Sequence, residues 1–407
     1  MAKVTKASYA VLIACTVSHF MNHVYTGVLS PFLPLIRDEF GLSLTEAGIL
    51  TTAVILTMTS AHLVVGYLGD KGLRDIFISI SVLLAGVVML VASFATSFLF
   101  LVGTQIALGL GVSGYHPSAF PAISGKFPKT ERAKAVGLNT AGGLVGMAII
   151  PFLGVALLVI FDWWREPIYV LGLMGIALFF PVLIMMRYAS KQTLIDEANG
   201  INNEKPKETI GWTRNFWVVM IFMGLRGIPF RCTTLMMPIY LVDSYGYEPV
   251  WAGSLTAIML SAGLFGELAS APISDRSGKR VPYMILSVAS MVPLFLFLNL
   301  SLDPLMLFIV LIAIGFIYFF GVPPGQAYET EVCPTERQGL AFGLLFSIGA
   351  IPGSLSPMIF GWIGDNFGLT SSILFLAIIS GLAVLIGLFL RDLPSEKHEP
   401  VTIAFEE

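Results

Sequence analysis

Two histidines four residues apart interrupt the first apolar run of the chain, in the stretch His19-Phe-Met-Asn22-His23-Val-Tyr25. An imidazole can carry a proton near neutral pH, ligate a transition metal or hydrogen-bond an anion. The i, i+4 spacing puts His19 and His23 on one face of a helix, with Asn22 and Tyr25 beside them. Chemistry-bearing side chains recur inside later apolar runs as His62, His116, Arg226, Arg231 and Glu267. Polar groups at such depth are costly and mark a pathway or a binding site.

The elements that must position them follow from composition. Of 407 residues, 56% are hydrophobic and 12% charged, with a mean hydropathy of +0.84. A soluble domain carries about 25% charged residues, so this chain is solvated mainly by lipid. Its partner is a bilayer and not a nucleic acid. Cys15, Cys232 and Cys333 are odd in number and widely spaced, which fits apolar filler better than a disulfide or zinc framework. Lys3 and Lys6 before an apolar run resemble a signal peptide, but the run is too long and lacks a small-residue cleavage site. It reads as a retained helix.

A spanning helix needs roughly 20 apolar residues. Twelve runs qualify, the first six being Tyr9–Ile36, Leu44–Gly69, Ile76–Phe94, Phe98–Ser124, Ala135–Ile160 and Pro167–Met186. The second six are Phe216–Leu241, Val250–Ile273, Pro282–Leu300, Leu305–Ala327, Leu340–Ile363 and Ser372–Leu390. They are too long and too apolar for barrel strands. The expected organisation is an N-terminal six-helix bundle over 1–187, a connector over 188–214, a C-terminal bundle over 215–392 and a tail over 393–407. Of the 23 lysines and arginines, Arg37 and Arg165 fall on one side and Arg226 and Arg231 inside helix 7. The others fall on the opposite side, which the positive-inside rule makes cytoplasmic, together with both termini.

The halves repeat at an offset of roughly 205 residues. Ala47-Gly48-Ile-Leu50 returns as Ala252-Gly253-Ser-Leu255, and Asp70-Lys71 as Asp275-Arg276. Pro128, Gly137, Gly143 and Pro151 return as Pro334, Gly343, Gly349 and Pro357. Parallel repeats of this kind place a substrate site between the halves near the midplane.

After helix 2, Gly66-Tyr-Leu-Gly-Asp70-Lys71-Gly-Leu-Arg74 resembles the major facilitator signature G-x-x-x-D-R-x-G-R-K. Its second copy is Ala271-Pro-Ile-Ser-Asp275-Arg276-Ser-Gly278-Lys279-Arg280, after helix 8. The first copy has Leu73 where glycine is expected, and the second opens with Ala271. Within the superfamily, several segments resemble the fosmidomycin-resistance branch. They are His19-x-x-Asn22, Leu33-Pro34 to Ser43, His116-Pro117, Gly142-Gly143-x-x-Gly146, Leu225-Arg226 and Glu331 to Pro334. The resemblance implies an all-α membrane protein of twelve spans in two pseudo-symmetric bundles that exports small drugs against protons. The helix 5 antiporter pattern G-x-x-x-G-P-x-x-G-G is not intact, since Met147 follows Gly146 and the proline waits until Pro151. An acid at a helix end among basic residues can pair across to the other bundle. Asp70, Lys71, Arg74, Asp275, Arg276 and Lys279 are therefore the expected cytoplasmic gate, topology enforcement being their other reading.

Depth adds a constraint. His19 and His23 lie about 15 and 21 Å along helix 1, and His62 and Glu267 each ~12 Å above the signature aspartate. His116, Arg226 and Arg231 fall about 15 to 22 Å into their helices, so all share a central slab. In the repeat, His62 corresponds to Glu267 and Asn22 to Arg226. Each residue also has a bland reading: a lone intramembrane histidine is commonly a helix–helix hydrogen bonder, and the arginines could simply pair with Glu267. Two guanidiniums against one acid leave a positive charge unbalanced, which favours an anionic ligand.

The expected substrate site is His19, Asn22, His23, Tyr25, His116, Arg226 and Arg231, with Glu267 and then His62 as proton carriers. The reading is a secondary transporter of a small organic anion or zwitterion, proton-coupled, monomeric and without cofactor. A carrier of transition metals or metal chelates is the alternative that the histidines raise. A receptor or scaffold on a transporter fold is the alternative of another class. No hydrolase or metalloprotease motif supports an intramembrane enzyme.

Overall fold

Lipid offers no partner to an open N–H or C=O, so a chain this apolar must close its backbone bonds inside helices. The computed structural model describes residues 4–127, 129–198, 211–334 and 338–393, and every regular element among them is helical. The tail beyond 393, the connector over 199–210, Pro128, Arg337 and the side chains of Asp70 and Pro151 lie outside the described residues. The first half comprises α1 (Lys6–Gly27), a short turn (Ser30–Phe32), α2 (Leu33–Phe40), α3 (Leu44–Leu68), α4 (Arg74–Ala92), α5 (Phe98–Val112), α6 (His116–Ser124), α7 (Lys129–Phe161) and α8 (Arg165–Ala198). The second comprises α9 (Arg214–Tyr245), α10 (Pro249–Ser277), α11 (Val281–Ala289), α12 (Met291–Leu298), α13 (Pro304–Phe320), α14 (Val322–Val332), α15 (Gln338–Phe346), α16 (Ile351–Phe367) and α17 (Leu369–Gly387).

Among the described residues, eleven helical stretches are long and apolar enough to cross a membrane by composition alone. The twelfth, α1, falls short because His19, Asn22 and His23 dilute it, yet its 22 residues still reach about 33 Å. Two spans are broken at equivalent places. α5 gives way to α6 at His116-Pro117, and α13 to α14 at Val322-Pro323-Pro324. A proline has no N–H to donate and restricts the residue before it, so the ladder opens there. Two boundaries differ from expectation. α8 runs on to Ala198, well into the expected connector, because Lys191, Gln192, Leu194 and Glu197 are good helix formers although the segment is no longer apolar. α14 likewise continues to Val332, five residues past Ala327, where the expected span ends.

Within the first half α1 packs on α7 and α8, and α4 on α5 and α8; within the second α9 packs on α16 and α17, and α10 on α13. Two seams join the halves, α3 against α16 and α7 against α10. One set of contacts lies at the end of the molecule away from the termini. There the Asp365 carboxylate accepts from the first backbone N–H groups of α3, Leu44 (2.9 Å) and Thr45 (2.8 Å). This caps the positive end of that helix from the other bundle. Gly48 lets the backbones touch: a Cβ there would sit 2.3 Å from the Pro357 carbonyl oxygen. Two contacts join repeat-equivalent residues, Arg37 with Asp243 and the Ser30 hydroxyl with the Leu235 carbonyl (3.0 Å). They lie on the pseudo-two-fold axis.

Candidate functional site

His19 and His23 project from α1 toward His116, the first residue of α6. The ring centroids of His19 are 4.9 Å from His23 and 5.2 Å from His116, and His23 and His116 are 5.8 Å apart. One nitrogen from each ring lies within 4.8 Å of the other two. His62, on α3, joins from the side with its ring 5.9 Å from that of His116. All four histidines of the apolar runs therefore meet in one cluster.

Each ring is held differently. The Nδ1 of His19 is 2.9 Å from the Asn139 carbonyl oxygen, and its face stacks on Tyr115 at 4.9 Å. The Tyr115 hydroxyl in turn donates to Asn139 Oδ1 at 2.8 Å. Gly143 makes room for this: a Cβ on it would meet His19 Nε2 at 2.5 Å. Both nitrogens of His62 are buried and complete no hydrogen bond of good geometry among the described residues, although the Phe346 backbone of the other half lies close.

Arg231, on α9 of the opposite bundle, lies within electrostatic reach of His23, His62 and His116. Like His23 and His116, it is only partly buried. Among the described residues no carboxylate forms an ion pair with it. The cluster and Arg231 thus face one another across the junction between bundles.

Three expected site residues turn elsewhere. Asn22 Nδ2 donates to the Val112 carbonyl (2.8 Å), the Tyr25 hydroxyl to that of Leu171 (2.9 Å), and Arg226 Nη2 to that of Tyr318 (3.0 Å). All three bonds stay within a single bundle. Val112 and Tyr318 lie in the last turn of the first segments of the two broken spans, and they are repeat equivalents, as are Asn22 and Arg226. The same mechanical pin therefore occurs twice, binding helix 1 or helix 7 to the break in its neighbour.

The Arg226 pin is charged, which changes its surroundings. Its guanidinium lies 4.6 Å over the Tyr318 ring, and two buried carboxylates, Glu267 (4% exposed) and Glu329 (9%), lie within its electrostatic reach. Sequence reasoning took Glu267 for the only acid at depth and missed Glu329. The Gln326-Ala-Tyr-Glu329 stretch reads as the polar end of a span, and the continuation of α14 to Val332 is what buries Glu329 within the bundle. Asn139 and Tyr318 were missed as well; for Tyr318 its place just before the proline break of its span was the available signal, and for Asn139 there was none.

At the signature loops, Gly72 and Gly278 adopt equivalent left-handed turns with φ of 94° and 62°. Asp275 then pairs with Arg280 at 2.6 Å, and Arg280 with Glu331 at 3.2 Å. These ion pairs run within the second bundle, because the Gly278 turn folds Arg280 back over α10. Lys71 lies 4.4 Å over the Tyr67 ring of its own span, while Arg276 and Lys279 are exposed and Arg74 is partly buried.

The family model described as Major Facilitator Superfamily matches residues 15–357 and 270–406. A probable sulfoacetate transporter of Cupriavidus necator is 26% identical over 384 residues, covering 89% of each chain. The fosmidomycin resistance protein of Escherichia coli is 24% identical, covering 98% of this chain and 96% of its own. The cis,cis-muconate transport protein of Acinetobacter baylyi is 24% identical over 84% of each. Among solved structures, an inward-facing bacterial homologue of the human lysosomal transporter Spinster superposes with a TM-score of 0.74 at 16% identity, covering 95% of this chain and 97% of that one.

Proposed function

The chain belongs to the Major Facilitator Superfamily and is a multi-pass membrane transporter of a small molecule, not an enzyme; from that premise we propose that its cargo is a small organic anion or zwitterion, carried by alternating access and coupled to protons. The observation that carries this reading is Arg231. A guanidinium at the junction between bundles, with no ion-paired carboxylate among the described residues, leaves a positive charge that a carboxylate, sulfonate or phosphonate can balance. The histidines opposite supply hydrogen bonds to the rest of the ligand.

Proton coupling is assigned to Glu267 and Glu329, the buried acids around Arg226. Arg226 can compensate one carboxylate charge but not two, so a proton is the natural partner of the second. His62, buried beside the cluster and close to the Phe346 backbone, is the next candidate. The working unit is a monomer in the cell membrane with both termini cytoplasmic, acting as a metabolite carrier or an efflux antiporter. That sulfoacetate and cis,cis-muconate are anions supports the substrate class.

The test is transport in proteoliposomes under an imposed pH gradient, with sulfonates and dicarboxylates compared against organic cations. Arg231→Gln should weaken anion uptake by roughly 10–100-fold, the worth of a charged hydrogen bond. Glu267→Gln and Glu329→Gln should abolish gradient-driven accumulation while preserving anion exchange. If Arg231→Gln transported every tested anion normally, the substrate assignment would fail.

A further inference from the structure

The histidine cluster has a property that anion binding does not call for. Three imidazoles bring one nitrogen each to within 4.8 Å of one another, two from α1 and one from α6. Around a tetrahedral metal with bonds near 2.0–2.1 Å, ligand nitrogens stand about 3.3–3.4 Å apart, so the cluster needs only a small contraction to close on an ion.

The supporting shell points the same way. The contact from His19 Nδ1 to the Asn139 carbonyl fixes the tautomer, because only a protonated Nδ1 can donate to a carbonyl. His19 Nε2 is then left with a free lone pair. A ligating histidine is ordinarily held by this kind of second-shell bond. Stacking on Tyr115 fixes the ring plane, and Tyr115 is itself tied to Asn139. Beside the Phe346 backbone, His62 adds a fourth imidazole, whose two buried nitrogens complete no hydrogen bond of good geometry among the described residues. An orphaned polar side chain at that depth is expensive unless something arrives to use it.

We propose that His19, His23 and His116 form a binding site for a divalent transition-metal ion, with His62 beside it as a reserve ligand. Imidazole donors without carboxylate select borderline ions such as Zn²⁺, Co²⁺ and Ni²⁺ over Mg²⁺ or Ca²⁺. Three neutral ligands leave a coordination position open. Arg231 opposes a bare dication, but an anionic oxygen ligand in the open position would lie between the metal and the guanidinium and attract both. The cargo in that arrangement is an anion bound to a metal. This last step rests on the anion reading above, whereas the metal site itself does not.

The experiment is cobalt titration of tag-free protein carrying His398→Gln, so that neither a tag nor the tail histidine contributes. Saturable binding of one Co²⁺ per chain, with the intense visible absorption of a tetrahedral site, is expected. His23→Gln and His116→Gln should each weaken it by more than the ~10–100-fold of a second-shell loss. Gly143→Ala, which drives a methyl into His19, should weaken it within that range. Zn²⁺ should raise the melting temperature of the parent protein and not that of the histidine variants, a readout that separates ligand loss from misfolding. Arg231→Gln should keep the cobalt spectrum while losing anion uptake, so failure of one proposal is distinguishable from failure of the other. Absence of the absorption, or its persistence in His23→Gln and His116→Gln, would overturn the site.

Discussion

The two bundles share one frame and fill it with opposite chemistry. Asn22 and Arg226 occupy equivalent positions and make the same bond, to a carbonyl in the last turn of the first segment of a broken span. In the first bundle the pin is neutral, and the polar groups nearby are imidazoles. In the second it is a cation, and two carboxylates are buried within its reach. The lesson is that mechanical anchoring was held in common while the charge was placed on one side only. A neutral bundle can change its contacts with a ligand at little electrostatic cost. The charged one must keep its balance through a proton or a counter-ion.

The strongest way to break that comparison is to remove both pins. Arg226→Leu leaves Glu267 and Glu329 facing an apolar side chain, and breaking a buried ionic network from one side costs ~3–5 kcal/mol. Asn22→Leu loses one neutral hydrogen bond, about 0.5–1.5 kcal/mol, and the Val112 carbonyl keeps its bond from the Tyr115 N–H (3.4 Å). Thermal unfolding in detergent should therefore rank Arg226→Leu well below Asn22→Leu. Adding Glu267→Gln and Glu329→Gln to Arg226→Leu should recover part of the loss. Equal losses for the two pins, or no recovery, would mean that charge is not what separates the bundles.

How much of this was legible in the sequence follows from what pattern can carry. The spans, their repeat and the shared depth of the histidines come from hydropathy and rise per residue, and the four histidines do meet. Direction round a helix was harder. Asn22 is about 60° from His19, so a small rotation decides whether it faces the bundle junction or its own bundle. No offset in the sequence reports that rotation, and Asn22, Tyr25 and Arg226 all turn inward. Glu329 was hidden because an apolar run ends where hydropathy ends, while the helix that carries it does not. The ion pairs of the signature loop were also invisible, since they depend on the turn at Gly278 folding Arg280 back toward Asp275.

A gentler probe uses the two seams, where equivalent glycines meet different neighbours. A Cβ on Gly48 would lie 2.3 Å from the Pro357 carbonyl oxygen and 2.8 Å from the Met358 Cα, both backbone. A Cβ on Gly253 would meet the Val155 side chain at 2.9 Å and that of Pro31 at 3.9 Å. Backbone in a helix cannot step aside without carrying its bundle with it, whereas a valine methyl can yield by rotation or a small shift. Gly48→Ala should cost about 1–3 kcal/mol by overpacking, and Gly253→Ala distinctly less. Melting temperatures of the two variants measure this directly. A larger loss for Gly253→Ala would show that the α7–α10 seam is the tighter of the two.

The smallest effect concerns the far end of each half, where Glu39 and Tyr245 are equivalent. Glu39 accepts from both terminal nitrogens of Arg165 (2.8 and 2.6 Å) and from Trp164 Nε1 (2.6 Å). Tyr245 donates its hydroxyl to the Leu298 carbonyl at 3.2 Å. Burial alone would raise the Glu39 carboxyl, but the hydrogen bonds from Arg165 and Trp164 outweigh it and hold the group below its ordinary range. A depressed folded value means that the stabilisation is complete above the unfolded value, about 4.3, and fades as pH falls through the lower folded one. The pair is partly exposed, so its worth is at most ~1 kcal/mol. Glu39→Gln should therefore melt slightly below the parent at pH 7, with the gap narrowing in acid and in high salt. Tyr245→Phe removes a neutral bond, and its deficit should stay constant across the same range. A pH-independent deficit for Glu39→Gln would assign the contact to packing of Trp164 rather than to charge.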